Sequence, residues 1–340
     1  MKILVPKIVV AQNEPKLNYN DHFVIYDKKL LEDKIFKNWV SRFRFKYAVE
    51  AGEKLKNLDL FSDHIHNILR IAEGGSRINS FVAVGGGSVG DFTGFIASVY
   101  KRGTGLIQLP TTWLSLVDSA HGGKTGLNCG AYKNQIGTFK FASAVYVVKR
   151  ILQQAPEKLF YEGLAEVAKT ALFDSSVFKI LNSAKIITPN YILKNSDAII
   201  RAKYKVVKRD PYESKNIRQI LNLGHTVGHV LETQYKLSHG QAVTDGLFFT
   251  LNWSLRKGYI SANQHRKIDD FLNEKLQLKR SEIKRPLSEN NFLRVLKQDK
   301  KKITDKSLLF IFMTERQSVV VEKVTFKSVL IEAKKQGLVR

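Results

Sequence analysis

A single cysteine, Cys129, in 340 residues excludes an internal disulfide and fits a reducing compartment. Long apolar runs are missing as well. No segment approaches the ~20 apolar residues of a membrane span. The N-terminal stretch MKILVPKIVVAQNEPK lacks the apolar core and small-residue cleavage site of a secretory signal. The expectation is a cytoplasmic protein with no membrane partner. Acidic residues are scarce: 31 Asp and Glu stand against 55 Lys and Arg, a formal charge of +24. Such a field attracts anions, so nucleic acid, acidic membrane surfaces and phosphorylated small molecules all stay open. A Lys-rich solvated surface accounts for the same numbers. No internal repeat or low-complexity tract is present. The hydrophobic fraction of 44% supports a sizeable core, and the length suggests two domains.

The first 150 or so residues alternate short β-rich runs with helical patterns. Strands are predicted at 22–26, 43–49, 80–84, 106–109 and 144–148, with helices at 57–72 and 92–100 among them. That alternation predicts an α/β domain with a mainly parallel, Rossmann-like sheet. Beyond about residue 151 the pattern turns helical, at 161–173, 191–208 and 226–235, with strand signals only at 308–312 and 319–324. The reading is an α/β domain over 1–153 and a mostly α-helical domain over 154–340, divided near 153–158.

Gly85-Gly-Gly-Ser-Val-Gly90 follows the run Ser80–Val84 and precedes Asp91 and an apolar helix. The spacing is G-x-G-x-x-G in a strand–turn–helix setting, which aims a helix N-terminus at a pyrophosphate. The acidic residue expected about 20 positions on is missing; Gln108-Leu-Pro-Thr-Thr112 stands there. Asp27 and Glu53 are candidates for a ribose partner from elsewhere. A tight turn with no ligand is the competing reading.

Glu166 and Lys169 lie three apart and so share a helix face. His225 and His229 lie four apart, and His239 follows in Ser238-His-Gly. Two histidines and one carboxylate make an open three-ligand metal site. Spacing alone nominates His225 and His229 as the metal pair, and histidines without metal are the alternative. Glycines beside each histidine (Gly224, Gly228, Gly240) argue for close backbone packing. Basic residues recur nearby: Arg102, Lys124, Lys169, Lys203, Arg218 and Lys300 to Lys302. Each taken singly reads as a solvated charge. Lys124, in Gly122-Gly-Lys-Thr125, is the least surface-like, because the glycines there would let a phosphate reach the backbone. It is not a P-loop, since Asp118 occupies the position of the required first glycine.

Taken together, Gly85–Asp91, Tyr100-Lys-Arg-Gly103, Leu109-Pro-Thr-Thr112, Val117-Asp118, Gly122–Thr125, Lys133-Asn134 with Ile136-Gly137, Gly163–Lys169, Leu221–Thr226 with Gly228-His229, and His239-Gly240 occur in an order that resembles the dehydroquinate synthase family over most of residues 20–305. The resemblance implies a metal, zinc or cobalt, held by Glu166, His225 and His239, with His229 facing substrate instead. It implies NAD contacts at Asp27, Glu53, Lys56, Gly86, Gly87, Asp91, Thr111, Thr112, Asp118 and Lys133. Substrate phosphate and carboxylate would be met by Arg102, Lys124, Asn134, Lys169, Lys203, Arg218, Asn222, His229 and one of Lys300 and Lys301. The implied reaction starts from a small anionic sugar phosphate, 3-deoxy-D-arabino-heptulosonate 7-phosphate. It runs through NAD-dependent oxidation, phosphate elimination, re-reduction and aldol closure to 3-dehydroquinate. A homodimer is implied, and no nucleic-acid partner.

Departures from the family pattern are Lys29 for a common Asn, His121 for a small residue, Gln154 for Thr, Gln241 for Glu and Asp245 for a small residue. One extra residue lies between Glu213 and Arg218, and the stretch from His229 to His239 is short. Other sugar phosphate cyclases and metal-dependent alcohol dehydrogenases are the nearest alternatives. The dense cationic set disfavours the dehydrogenases, and Arg218 with His229 favours the heptulosonate. A non-catalytic relative that binds polyanions is the alternative from a different class.

Overall fold

Runs of Val, Ile, Phe and Tyr that stay apolar at consecutive positions suit strands covered on both faces, and the first half of the chain uses them that way. The computed structural model describes residues 5–73, 77–130, 132–283, 285–298, 302–315 and 318–340. Contacts divide the chain into two units, Met1–Gly163 and Leu164–Arg340.

Strands of the first unit are β1 (Lys7–Ala11), β2 (His22–Asp27), β3 (Phe45–Val49), β4 (Ser80–Gly85), β5 (Gly105–Pro110), β6 (Lys124–Cys129), β7 (Tyr132–Phe139) and β8 (Ala144–Val148). Six of them form one sheet in the order β1-β8-β5-β4-β2-β3, and every pairing is parallel. Helices α1 (Lys34–Ser41), α2 (Leu58–Ala72), α3 (Gly87–Val99), α4 (Trp113–Val117) and α5 (Lys149–Gln153) complete the unit. Successive residues of β2 serve opposite cores. Phe23 and Ile25 pack with Phe92 and Ile96 of α3, whereas Val24 and Tyr26 pack with Phe36 and Trp39 of α1. The expected α/β fold and its five strands are present. Sequence reading missed β1, a partly exposed edge strand, and the antiparallel hairpin of β6 and β7. The polar, exposed run YKNQIGTF of β7 carries no strand alternation.

Helix α6 (Glu157–Phe173) crosses the division between the units. The second unit continues with α7 (Ser175–Ser183), α8 (Pro189–Lys194), α9 (Ser196–Arg209), α10 (His225–Tyr235), α11 (His239–Arg256), α12 (Ala262–Asp270), α13 (Glu289–Leu296) and α14 (Phe326–Lys335). A small antiparallel sheet, β11-β10-β9, is built from β9 (Lys302–Thr304), β10 (Ser307–Thr314) and β11 (Ser318–Thr325). Val227, Leu231, Phe249, Trp253, Phe310 and Phe312 share its core. The single helix expected over 191–208 is broken at Asn195, whose side-chain amide donates to the Tyr191 carbonyl at 2.9 Å. Such side-chain competition for backbone groups interrupts helices. Among the described residues, no helix is long and apolar enough to cross a membrane.

One contact positions the functional residues of this unit. Helices α10 and α11 approach so closely that a Cβ on Gly246 would stand 1.9 Å from the Gly224 carbonyl oxygen, and one on Gly228 would stand 2.8 Å from the Ala242 oxygen. Gly224 also adopts φ +78°, a conformation that suits glycine. Gly246→Ala therefore forces the two helices apart. The expected loss of stability is about 3 kcal/mol, at the upper end for overpacking, read as a lower urea midpoint with an unchanged slope.

Candidate functional site

Glu166 of α6 is 1% exposed and meets three partners in the second unit. Lys169, one turn later, forms an ion pair with its Oε2. The Nε2 atoms of His225 and His239 lie 3.4 and 3.2 Å from its Oε1. Ligand atoms of Glu166, His225 and His239 all fall within 4.8 Å of one another. Burial pushes the Glu166 carboxyl up, but Lys169 and His225 outweigh it and hold it well below the usual carboxylate range. Burial and Lys169 lower His225, against the pull of Glu166. His239 is disfavoured as a cation by burial, yet hydrogen bonds to Glu166 and Glu232 raise it to about 10.

The outer faces of the two imidazoles are occupied. His225 Nδ1 lies 3.1 Å from the Leu223 carbonyl oxygen, to which its N–H donates, and His239 Nδ1 lies 3.5 Å from Glu232 Oε2. Each ring is thereby oriented with Nε2 toward the cluster, the arrangement in which a metal-binding histidine presents its lone pair. A carboxylate and two imidazoles so arranged fit a divalent ion with a coordination position left for another ligand.

His229 is not part of this cluster, which corrects the expectation from spacing. Its ring stands 5.3 Å from that of His225, and the side chain is exposed. The i,i+4 pair does share a helix face, but the second imidazole comes from the first residue of α11, brought in by the close helix contact. Glu232 was missed. Its signal was its place on α10, seven residues after His225 and three after His229.

Among the described residues of this unit, three cations are buried: Lys169 and Arg218 at 3% and Lys203 at 6% exposure. Asn222 ends the turn Ile217–Asn222 just before α10. Asp210 shapes the segment leading to Arg218. Its buried carboxylate accepts backbone N–H groups of Lys215, Ile217 and Arg218 at 3.1, 3.0 and 3.3 Å. Glu213 and Asn216 in this segment adopt left-handed backbone, φ 57° and 58°. Lys300 and Lys301 lie outside the described residues.

In the first unit the nominated cofactor residues follow the carboxyl ends of neighbouring strands, where ligands of open parallel sheets bind. Asp27 ends β2 and accepts from the Lys29 N–H at 3.1 Å. Glu53 and Lys56 form the turn after β3. Gly86 and Gly87 open α3 after β4, and Thr111 and Thr112 follow β5, with Thr112 capping α4. Asp118 ends α4. Lys56 is buried, and its Nζ meets Asp91 Oδ2 at 2.7 Å and Asn134 Oδ1 at 2.5 Å. Burial pushes the Asp91 carboxyl up, against Lys56 and with help from Glu53 and Asp118. Lys133 and Asn134 sit on exposed β7. Arg102 is exposed and follows Lys101 in left-handed backbone, φ 65° and 46°, a conformation costing roughly 1–2 kcal/mol per residue. Lys124 is exposed at the head of β6, against its reading as the least surface-like cation. The glycine before it serves packing: Gly123 has φ +68°, and a Cβ there would stand 2.4 Å from the Phe141 ring.

Sequence models described as the 3-dehydroquinate synthase N-terminal and C-terminal domains match residues 46–162 and 163–302. The chain belongs to the 3-dehydroquinate synthase family. A relative of that name from Alkaliphilus oremlandii is 33% identical over 324 residues, covering 91% of this chain and 86% of the relative. One from Picrophilus torridus is 34% identical over 312 residues, covering 88% and 86%. The fold matches 2-deoxy-scyllo-inosose synthase, solved with carbaglucose-6-phosphate, NAD+ and Co2+, at a TM-score of 0.82 and 22% identity over 97% of this chain and 96% of that one. It also matches 2-epi-5-epi-valiolone synthase from Streptomyces hygroscopicus, solved with NAD+ and Zn2+, at 0.83 and 18% over 99% and 97%.

Of the residues that depart from the expected pattern, His121, Gln241 and Asp245 have side-chain partners. His121 is fully buried, its Nε2 2.5 Å from the Leu116 carbonyl oxygen. Gln241 donates to Asp245 at 3.4 Å and to the Lys279 carbonyl at 2.8 Å. Lys29 contributes its backbone N–H to Asp27, so that contact does not depend on its side chain. Gln154 is exposed at the end of α5.

Burial raises the Asp210 carboxyl, but backbone N–H donors at Lys215, Arg218, Ile217 and Ser214 outweigh it and hold the group below its ordinary value. A depressed carboxyl contributes stability above its unfolded pKa near 4 and loses it as pH falls through the folded value. Asp210→Asn should cost about 2 kcal/mol at pH 7. The gap to the parent protein in urea unfolding should narrow below about pH 4; a gap constant from pH 7 to 3 would rule the carboxylate out as its source.

Proposed function

We propose that the chain closes 3-deoxy-D-arabino-heptulosonate 7-phosphate to 3-dehydroquinate with release of phosphate, acting as a phosphorus–oxygen lyase in aromatic biosynthesis. The observation that carries this reading is the cluster of Glu166, His225 and His239, in a unit that also buries Lys169, Lys203 and Arg218. Cations so placed suit a substrate that carries a phosphate and a carboxylate, through charge-assisted hydrogen bonds.

In this reading the first unit binds NAD and the second holds the metal. Glu166, His225 and His239 would hold a divalent ion, zinc or cobalt, which would supply polarisation of a substrate oxygen, and NAD would supply hydride transfer in both directions. Asp27, Glu53, Lys56, Asp91, Thr111, Thr112, Asp118, Lys133 and the Gly86–Gly87 turn bind the cofactor, with helix α3 directing its N-terminus at the pyrophosphate. Lys169 holds Glu166 ionised, as a ligand must be. Arg102, Lys124, Asn134, Lys169, Lys203, Arg218, Asn222 and His229, with Lys300 and Lys301, orient the phosphate and the carboxylate through charge-assisted hydrogen bonds. Fixing both ends of the substrate leaves its ring hydroxyls as the groups presented for oxidation. The exposed Cys129 and the lack of other cysteines suit the reducing cytoplasm.

Purified protein with NAD+ and Zn2+ or Co2+ should release inorganic phosphate from the heptulosonate phosphate and form dehydroquinate. No release with either metal would sink the proposal, and turnover of a different sugar phosphate alone would move the chain to another cyclase activity. Two substitutions separate the histidine roles. His239→Ala should abolish stoichiometric Co2+ binding, measured by equilibrium dialysis. His229→Ala should keep the metal and lower kcat at least about a hundredfold, the scale of a lost acid–base or orienting group. Equal loss of Co2+ in both variants would refute the division.

A further inference from the structure

In the β6–β7 hairpin Leu127 faces Ile136 and Cys129 faces Tyr132. Asn128 alone on β6 therefore stands opposite Lys133, Asn134 and Gln135 on β7. Such a bulge leaves backbone donors without a ladder partner and redirects the side chains it carries. Asn128 supplies the missing acceptor: its Oδ1 takes the Asn134 N–H at 2.9 Å. Asn134 there adopts φ 52°, and its Oδ1 accepts from buried Lys56, which also meets Asp91. The other end of the same amide points to a different group. Asn128 Nδ2 donates to Glu53 Oε2 at 2.8 Å. The two bonds fix the amide's sense, since a flipped oxygen would face the Glu53 carboxylate. Asn128 is 9% exposed, so little water competes for either bond.

We propose that Asn128 is a positioning residue that ties Glu53 to the bulge bearing Lys133 and Asn134, and so sets cofactor and substrate groups in register through one side chain. The inference rests on the reading that places Glu53 and Lys133 on NAD and Asn134 on substrate. An amide that merely closes a bulge would need only the bond to Asn134. The second bond, to a carboxylate from the turn after β3, is what links the groups.

Asn128→Asp separates the two bonds. It keeps an acceptor for the Asn134 N–H and replaces the donor to Glu53 with a second carboxylate. In the full-length protein the Kd for NAD, measured by equilibrium dialysis, should rise about tenfold or more, the scale of a lost hydrogen bond to a charged group. At saturating NAD, kcat should stay within about threefold of the parent. Asn128→Ala removes both bonds and should lower kcat about tenfold or more even at saturating NAD. If N128A does not fold, N128D decides alone. Glu53→Gln and the double variant E53Q/N128D should bind NAD alike, because the effect of N128D runs through Glu53. Parent protein that binds NAD beside N128D that binds it equally well overturns the inference and leaves the proposed function standing. So does a loss of melting temperature in N128D that accounts for all its defects. Parent protein that does not bind NAD overturns both.

Discussion

The second unit is organised around one carboxylate that has been taken out of water. An ionised group as buried as Glu166 costs several kcal/mol unless cations and donors surround it, and the chain meets that requirement from three helices. Lys169 comes from one turn along α6, His225 from the start of α10 and His239 from the start of α11. The two imidazoles converge on the same oxygen, Oε1, while the lysine takes the other. Remove any one helix from its place and the remaining groups no longer balance.

That placement depends on backbone contact more than on side-chain packing. Gly224, Gly228 and Gly246 allow α10 and α11 to touch main chain to main chain, which sets the separation of His225 from His239. The supports beyond the cluster have the same character. Leu223 and Glu232 engage the outer nitrogens of the two histidines, and Asp210 gathers the backbone ahead of Arg218. Each support fixes direction, because a ligand nitrogen turned away from the cluster is of no use however close its ring lies.

The first unit meets a different constraint. A parallel sheet covered on both faces leaves its carboxyl ends as the place where polar groups can collect. Asp27, Glu53, Gly86 and Thr111 each lie at or just after the carboxyl end of a different strand, although they span much of the domain's length. Lys56 gathers Asp91 and Asn134, and Asn128 joins Asn134 to Glu53. The turn after β3, helix α3 and the β6–β7 hairpin thus share one hydrogen-bonded network.

Much of this was legible in the order of residues. The buried strands declare themselves because each is a short, continuous apolar run. The helical character of residues beyond 151 follows from periodicity, and the family follows from many motifs in one order. Spacing also put Glu166 and Lys169 on one helix face. It failed for the histidines: His225 and His229 are neighbours on α10, yet the metal-fitting partner is His239, ten residues further on and on another helix. It failed as well for the glycine before Lys124, which accommodates the Phe141 ring, and for the hairpin, whose exposed polar strand has no apolar alternation. The sequence by itself determined the two-part architecture and the residue types available for chemistry, because periodicity and local motifs are properties of neighbouring positions. Which atom of which side chain faces which other was decided only by the tertiary structure, because it depends on how closely α10 and α11 can approach and on where a bulge in β7 turns Asn134, distances that no linear spacing contains.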